Sequence, residues 1–272
     1  MKRVFLYLFM MSSIIVYGQD IKLVTWNVQS GEATPDTIAE QLTNDFSAVD
    51  IFCLLEVPSN SIEKYSNAIA EGESINYAHT YAESGGEDRM IIVYNEDKFK
   101  LDSTWELTDM RLVTYRPMLV AQFSDKDNGK TIYVGVNHLA RGCDYCRQAQ
   151  SRALYSWLGQ YPQKKSPVFL VGDYNYDWDI KKGDKKHNKG YDILTNKGRA
   201  KWLRPSELVT TQCSSKNGSA CRFNSVLDFV FVNKIAQEVF SSMSSEIVVR
   251  NGDFPPSEHT ADHRPILAEF SY

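Results

Sequence analysis

The chain has no basic excess, no low-complexity tract and, past its first residues, no hydrophobic run long enough to cross a membrane. Its 272 residues carry 34 acidic against 30 basic side chains, a formal net charge of −4. Nothing global therefore steers it toward phosphate polymers, and any grip on a polyanion has to be local. No Pro-, Gly- or Ser-rich stretch divides the sequence, which points to one domain of mixed strands and helices rather than two joined by a linker. With 43% hydrophobic and 12% aromatic residues the chain is globular, not disordered. Cysteine is scarce, five in all. It shows neither the regular C-x2-C repeats of zinc modules nor thioredoxin-like surroundings.

One apolar run does stand out, Val4 to Tyr17, preceded by Lys2-Arg3 and containing Ser12 and Ser13. It ends at Val16-Tyr-Gly18, which has the form of a small-residue cleavage site, and polar chain follows at once. The run is too short for a span, so residues 1–18 read as a secretory signal peptide and 19–272 as the folded domain. An uncleaved anchor is the rival reading. Loss of Lys2 and Arg3 takes the net charge to about −6. Export implies a secreted or periplasmic, oxidising setting, where the close pairs Cys143/Cys146 and Cys213/Cys221 are most simply two local disulfides. A redox motif at Cys143-Asp-Tyr-Cys146 and a four-thiol zinc site are the alternatives. Cys53 lies in an apolar run and reads as a buried free thiol.

Several short apolar runs end on polar residues of one kind. Val168-Phe-Leu-Val-Gly172 reads as a strand buried on both faces, with Asp173 and Asn175 on one side at its mouth. The opposing reading is a turn, since Asp and Asn favour turns. Ile21 to Val28 ends on Trp26-Asn27, Val49 to Glu56 on a carboxylate, and Thr131 to His138 on Asn137-His138. Ser225 to Val232 is a strand with Asp228 embedded in it. Asp262-His263-Arg-Pro265 precedes a final strand over Ile266 to Phe270. Helices are expected from Thr34 or Asp36 to about Phe46, from Pro58 to Ala70, and from Cys146 to Gln160. Asn27, Glu56, His138, Asp173, Asn175, Asp228, Asp262 and His263 thus all arrive at strand ends or adjoining loops. Oxygen ligands of this type suit Mg²⁺, Mn²⁺ or Ca²⁺ rather than zinc. With histidines nearby, they point to metal-assisted hydrolysis of a phosphate ester.

In this order the motifs resemble those of the endonuclease/exonuclease/phosphatase superfamily, in its DNase I-like, secreted bacterial nuclease branch. The resemblance rests on Thr25-Trp-Asn27, Leu54-Leu-Glu56, Val136-Asn-His138-Leu, Gly172-Asp-Tyr-Asn175, Leu227-Asp228-Phe-Val-Phe and Asp262-His263-Arg-Pro265, and covers essentially the whole chain after the leader. It implies a four-layer α/β sandwich, two mixed sheets face to face with helices outside. It further implies Glu56 as principal metal ligand, with Asn27 beside it and Asp262 approaching the metal directly or through water. Asp173 would orient or deprotonate the attacking water, and Asn175 would hold a phosphate oxygen. Asp228 would hydrogen-bond His263, the acid/base or phosphate-polarising group, and His138 would contact the phosphate near the leaving group. Asp88 is the candidate carboxylate supporting His138, and Arg116 matches a basic position that touches phosphate.

Within that resemblance His138 favours the nuclease and sphingomyelinase branches over abasic-site enzymes, and the Cys-containing loop before Arg147-Gln-Ala-Gln-Ser-Arg152 looks like that of bacterial secreted nucleases. The sequence shows no aromatic hairpin of the kind sphingomyelinases use. The run from Lys181 to Lys189, including Lys182 and Lys185, is expected beside the metal, gripping a phosphate backbone; a solvated charge run is the bland alternative. A divalent-metal nuclease of low sequence specificity, monomeric and not membrane-inserted, is the expected function. A phosphatase or lipid phosphodiesterase on the same fold, or an inactive binding module, are the other readings. His79 and His259 carry no motif and read as surface or structural, and His187, flanked by lysines, is expected in solvent.

Overall fold

The computed structural model describes residues 20–110, 115–160, 163–213, 221, 225–257 and 259–272. The leader read in residues 1–18 lies outside them. Two six-stranded sheets form the frame. The first has the order β11 (Ser242–Ile247), β12 (Ile266–Ser271), β1 (Ile21–Asn27), β2 (Ile51–Pro58), β4 (Asp88–Asn95) and β3 (Tyr77–Tyr81). The second runs β5 (Phe99–Leu107), β6 (Met118–Asp125), β7 (Thr131–His138), β8 (Val168–Asp179), β10 (Ser225–Asn233) and β9 (Ala200–Trp202). At the middle of each sheet lies one parallel pair, β1 with β2 and β7 with β8, each bridged by a helix: α1 (Pro35–Asp45) and α3 (Asp144–Trp157). That is the crossover a parallel pair requires. The other helices are α2 (Ile62–Ala70), α4 (Lys189–Thr195) and α5 (Lys234–Val239).

Three apolar clusters make the layers. The central one joins inward residues of both sheets, among them Leu23, Cys53 and Ile92 against Val134, Val171 and Val230. A second packs α1 and α2 on the first sheet through Ile38, Leu42 and Ile69. A third packs α3 and α4 on the second sheet through Leu154, Trp157 and Leu194. Helix, sheet, sheet, helix is the four-layer sandwich that the motifs imply. Cys53 is buried and free, and Cys143–Cys146 and Cys213–Cys221 are disulfides.

Strand alternation decides what reaches the site. Along β8, Phe169 and Val171 face the other sheet, while Leu170, Tyr174, Tyr176 and Trp178 face α3 and α4. Asp173 and Asn175 therefore continue the inward row. The strand does not stop at Gly172 as the apolar run suggests: it pairs with β10 as far as Asp179. Gly172 has φ 123°, and a Cβ there would sit 2.1 Å from the Asn137 carbonyl oxygen, so only glycine lets β7 and β8 approach this closely. The register sets His138 beside Asp173 and Asp173 beside Asp228, one row across three strands.

Candidate active site

A cavity of about 130 Å³ opens at the end of this row, between the two sheets. Glu56, His138, Asp173, Asn175, Asp262 and His263 all line it. Glu56 gets there by a break in the alternation. In β2 the even positions Phe52 and Leu54 face the helices, so an unbroken strand would point Glu56 away from the other sheet. The pairing of β2 with β4 slips between Leu54 and Val57, and Glu56 takes a left-handed φ of 52°. The bulge re-aims its carboxylate into the cavity. Asn175 and Gln29 have similar φ values of 50° and 53°. Backbone of this kind in non-glycine residues is held only where the surroundings over-determine it.

Asn27 is buried behind Glu56 and is not among the residues lining the cavity. Its Nδ2 donates to Glu56 Oε1 at 3.0 Å, and its Oδ1 accepts from the Gln29 amide at 3.0 Å. These contacts hold Asn27 against Glu56, and its Oδ1, accepting one hydrogen bond, keeps a second lone pair. Burial pushes the Glu56 carboxyl above its ordinary value; the charge of Asp262 adds to this, against the Asn27 hydrogen bond and the charge of His263.

His263 is anchored by three contacts. Its Nδ1 lies 2.8 Å from Asp228 Oδ2, its carbonyl accepts from Trp26 Nε1 at 2.9 Å, and it forms a bridge with Gln212. Burial opposes its charged form. The hydrogen bond and charge of Asp228, then Asp262 and Asp173, outweigh this and push the imidazole up to about 10. Asp228, at 1% exposure, would be costly to bury alone, and the imidazolium is its partner. The free Nε2 faces the cavity, 3.9 Å from Asp173 Oδ2 and 3.8 Å from Asp262 Oδ1. Asp262 is held by Gln212 Nε2 at 2.7 Å and, through its amide, by Gln29 Oε1 at 2.8 Å.

His138 is set in the opposite charge state. Burial, with the positive charges of Arg116, His263 and Arg141, lowers it to about 3, so it is neutral. Arg116 Nη1 donates to its Nδ1 at 3.0 Å, which leaves the hydrogen on Nε2. That Nε2 faces Glu56 Oε1 at 3.6 Å and Asp173 Oδ2 at 3.7 Å. Asp88 does not touch His138. It accepts from Arg116 Nη2 at 2.5 Å and from Ser30 Oγ, so its support is relayed through the guanidinium. Arg116 in turn is committed to this chain of contacts.

Asp173 Oδ2 lies between the two imidazoles, too far from either for a hydrogen bond. Burial, then the negative charge of Asp228, raises its carboxyl well above the usual range, opposed by His263 and by the Asn175 amide at 2.9 Å. Asn175 Nδ2 gives one hydrogen to Leu139 O at 3.0 Å, leaving the second for the cavity.

The donor set fits a hard divalent ion held by one or two carboxylates and completed by water or substrate oxygens. Glu56 and Asp262 lie within electrostatic reach of each other on the wall, and no thiolate joins them. Among the described residues no three His, Cys, Asp or Glu side chains are gathered tightly enough to hold an ion by themselves.

Lys182 and Lys185 do not line the cavity. Because β8 continues from Asn175 to Asp179, about 13 Å of strand at about 3.3 Å per residue separates them from it. His187, expected in solvent, stacks on Trp178 at 4.7 Å and meets Asp192 at 2.9 Å. Sequence reasoning overlooked Arg141, Gln212 and Gln29, all on the cavity wall. Arg141 is an exposed cation three residues past His138, in a loop braced by buried Arg147 and Gln150, which bond the carbonyl and amide of Ala140 at 2.9 Å each. Its place just after a site strand was the available signal.

The profile of the Endonuclease/Exonuclease/phosphatase family matches residues 24–259. No curated protein matches by sequence. Among solved structures, an endonuclease/exonuclease/phosphatase family protein from Bacteroides thetaiotaomicron superposes with a TM-score of 0.68 at 16% identity, over 94% of this chain and 98% of that one. The mannosyl-6-phosphatase of the same organism gives 0.67 at 17% identity, over 93% and 100%. D. rerio TDP2 complexed with single strand DNA product gives 0.70 at 12% identity, over 93% and 99%. At such identities the structures speak for the fold. The family profile, spanning most of the length, does more: the chain belongs to the endonuclease/exonuclease/phosphatase family, phosphoric ester hydrolases that work with divalent metals.

Proposed function

We propose that the protein is an exported, divalent-metal-dependent phosphodiesterase, a DNase I-like nuclease that hydrolyses nucleic-acid phosphodiester bonds with low sequence specificity. One observation carries the reading: a neutral imidazole, an imidazolium and a proton-accepting carboxylate face one small cavity whose wall also holds Glu56 and Asp262. Such an acidic wall repels a phosphate ester unless a cation screens it. A divalent ion of the magnesium class (Mg²⁺, or Mn²⁺ or Ca²⁺) held by Glu56 and Asp262 would supply that counter-charge and polarise the phosphate.

The chain's own groups divide the remaining work. Asp173, with its raised proton affinity, orients the attacking water and takes its proton. His263 presents Nε2–H and a positive charge to the oxygens that gain charge in the transition state. His138 donates from Nε2 near the leaving group without adding charge, its tautomer held by Arg116. The spare Asn175 hydrogen takes a phosphate oxygen, and Arg141 attracts the diester at the mouth. Lys182 and Lys185, past the end of β8, would meet flanking phosphates and not the scissile one. Low specificity follows from the lining: among the described residues Leu227 is its one apolar side chain, and no Phe, Tyr or Trp lines it to read a base.

The rival reading is a phosphatase for small monoesters, favoured by the modest cavity volume and by the phosphatase among the structural neighbours. The purified protein, given Mg²⁺, Mn²⁺ or Ca²⁺, is offered plasmid DNA, RNA, bis-p-nitrophenyl phosphate, p-nitrophenyl phosphate and sphingomyelin. Chelator-sensitive cleavage of a nucleic acid and of the small diester is expected. Turnover of the monoester with both polymers left intact would replace the nuclease by the phosphatase. No turnover of anything would leave a binding module.

A further inference from the structure

A depression of about 600 Å³ lies away from the catalytic cavity, on the outward face of the second sheet near its edge strand β9. Its floor includes Trp178 and Trp202, whose rings sit 5.1 Å apart. Around them stand four cations, Lys197, Lys201, Arg204 and Lys234, and among the described residues no carboxylate lines the depression. In a chain with more acids than bases, this is local enrichment and does not follow from composition. Arg204 is set over both indoles, 5.6 Å from Trp178 and 5.4 Å from Trp202, which holds its guanidinium at the groove. Lys197 and Lys201 have no acidic partner among the described residues, and Lys234 meets only exposed Glu238 at 3.5 Å. Four exposed cations held together repel one another, a cost that a bound polyanion removes.

The position of the groove bears on its occupant. Trp178 lies on β8 three residues past Asn175, about 10 Å of strand, but on the opposite face. A polymer with one phosphodiester at the catalytic cavity would pass round the end of β8 to reach the groove. Trp178 also stacks on His187, which joins the groove to the lysine-bearing loop on the way.

We propose that this groove is an exosite for the phosphate backbone of a single nucleic-acid strand, engaged while another phosphodiester of the same strand occupies the catalytic cavity. The proposal rests on the nuclease reading, but the two fail separately. Four cations around aromatic walls match how single strands are held without sequence preference. The groove supplies affinity for length, and the cavity supplies chemistry.

The test compares the full-length protein with a Lys197→Ser, Lys201→Ser, Lys234→Ser variant. All three side chains are exposed, and Arg204, packed on the indoles, is left in place. The probe is a fluorescent phosphorothioate oligonucleotide of about 20 nucleotides, titrated with Mg²⁺ over a range of salt. The variant should bind on the order of tenfold more weakly. Its log–log salt dependence should flatten by about 2, at about 0.7 for each single-strand phosphate that the three lysines no longer neutralise. Bis-p-nitrophenyl phosphate, with no flanking phosphates, should be turned over at the wild-type kcat/KM. Unchanged oligonucleotide affinity and slope would overturn the exosite even if DNA is still cleaved. Groove-dependent binding of an oligonucleotide that is never cleaved would keep the exosite and remove the nuclease reading. Heparin or anionic vesicles bound through these lysines, with oligonucleotide binding unaffected, would overturn the nucleic-acid occupant.

Discussion

The charge state of His263 gives the sharpest quantitative test. Asp228→Asn keeps an oxygen to accept from Nδ1 and so keeps the ring's orientation, but removes the negative charge 2.8 Å away. In the wild type the imidazole is pushed up to about 10, so at pH 8 nearly all of it is protonated. Without Asp228, burial and the remaining carboxylates pull in opposite directions, and the ordinary value of about 6.5 is the working figure. At pH 8 only about 3% of the variant's His263 then carries the second proton. If that imidazolium stabilises the transition state, kcat at pH 8 falls about 30-fold, and most of the loss is recovered by pH 6. Hydrolysis of bis-p-nitrophenyl phosphate from pH 5.5 to 10 at saturating metal reads this directly. Stability follows the same sign. A raised histidine contributes stability that is fully present below about 6.5 and is lost as the pH rises through about 10. The melting-temperature gap between wild type and variant should therefore be widest at the acid end and close toward pH 10. A loss in kcat that is equal at every pH would show that Asp228 acts by positioning alone.

Three further outcomes are expected. Glu56→Gly relieves a left-handed residue that costs an L side chain about 1–2 kcal/mol, so the variant should melt no lower than wild type while hydrolysis falls at least about a hundredfold; a lower melting temperature with activity retained would contradict both halves. Arg116→Met frees His138 Nδ1 to take the proton, so kcat on the small diester should drop about tenfold or more with KM nearly constant, and Asp88→Asn should repeat the effect more weakly. A raised KM at unchanged kcat would instead make Arg116 a direct phosphate ligand. Removing the Cys213–Cys221 bond as a double serine variant should cost about 2–3 kcal/mol from its short loop. It should also lower activity, because the Cys213 amide holds the Asp262 carbonyl at 2.8 Å; wild-type kinetics would show that Gln212 and Gln29 suffice to place Asp262.

Much of the site was legible because it follows strand alternation. Apolar runs ending on Asn27, His138, Asp173 and Asn175 mark strands whose inward rows continue into polar residues, and Asp228 heads the inward row of Val230 and Val232. The second half of β8 was not read as strand, since Asn175, Asp177 and Asp179 look like turn residues. The even positions Tyr174, Tyr176 and Trp178 in fact continue the outward apolar face without a break. Strands β3, β9 and β11 escaped notice because they are short or polar sheet edges, where one-sided burial leaves little pattern. The aim of Glu56 depends on a bulge that no glycine announces. Arg116 lies 28 residues from Asp88 and 22 from His138, and only pairing across both sheets brings them together.

The first sheet is closed by the two ends of the described chain. β12 lies between β11 and β1, with Phe270 opposite Ile21 and Ile266 opposite Thr25. Asp262 and His263 immediately precede that strand, and the His263 carbonyl is tied to Trp26 on the first one. These contacts span nearly the full length of the sequence, so they close late, after the costliest loop entropy has been met. A chain that stops short of Asp262 can bury most of its second sheet and still lack Asp262 and His263 on the cavity wall. Cutting the chain before Asp262 is therefore expected to abolish hydrolysis while the second sheet still packs.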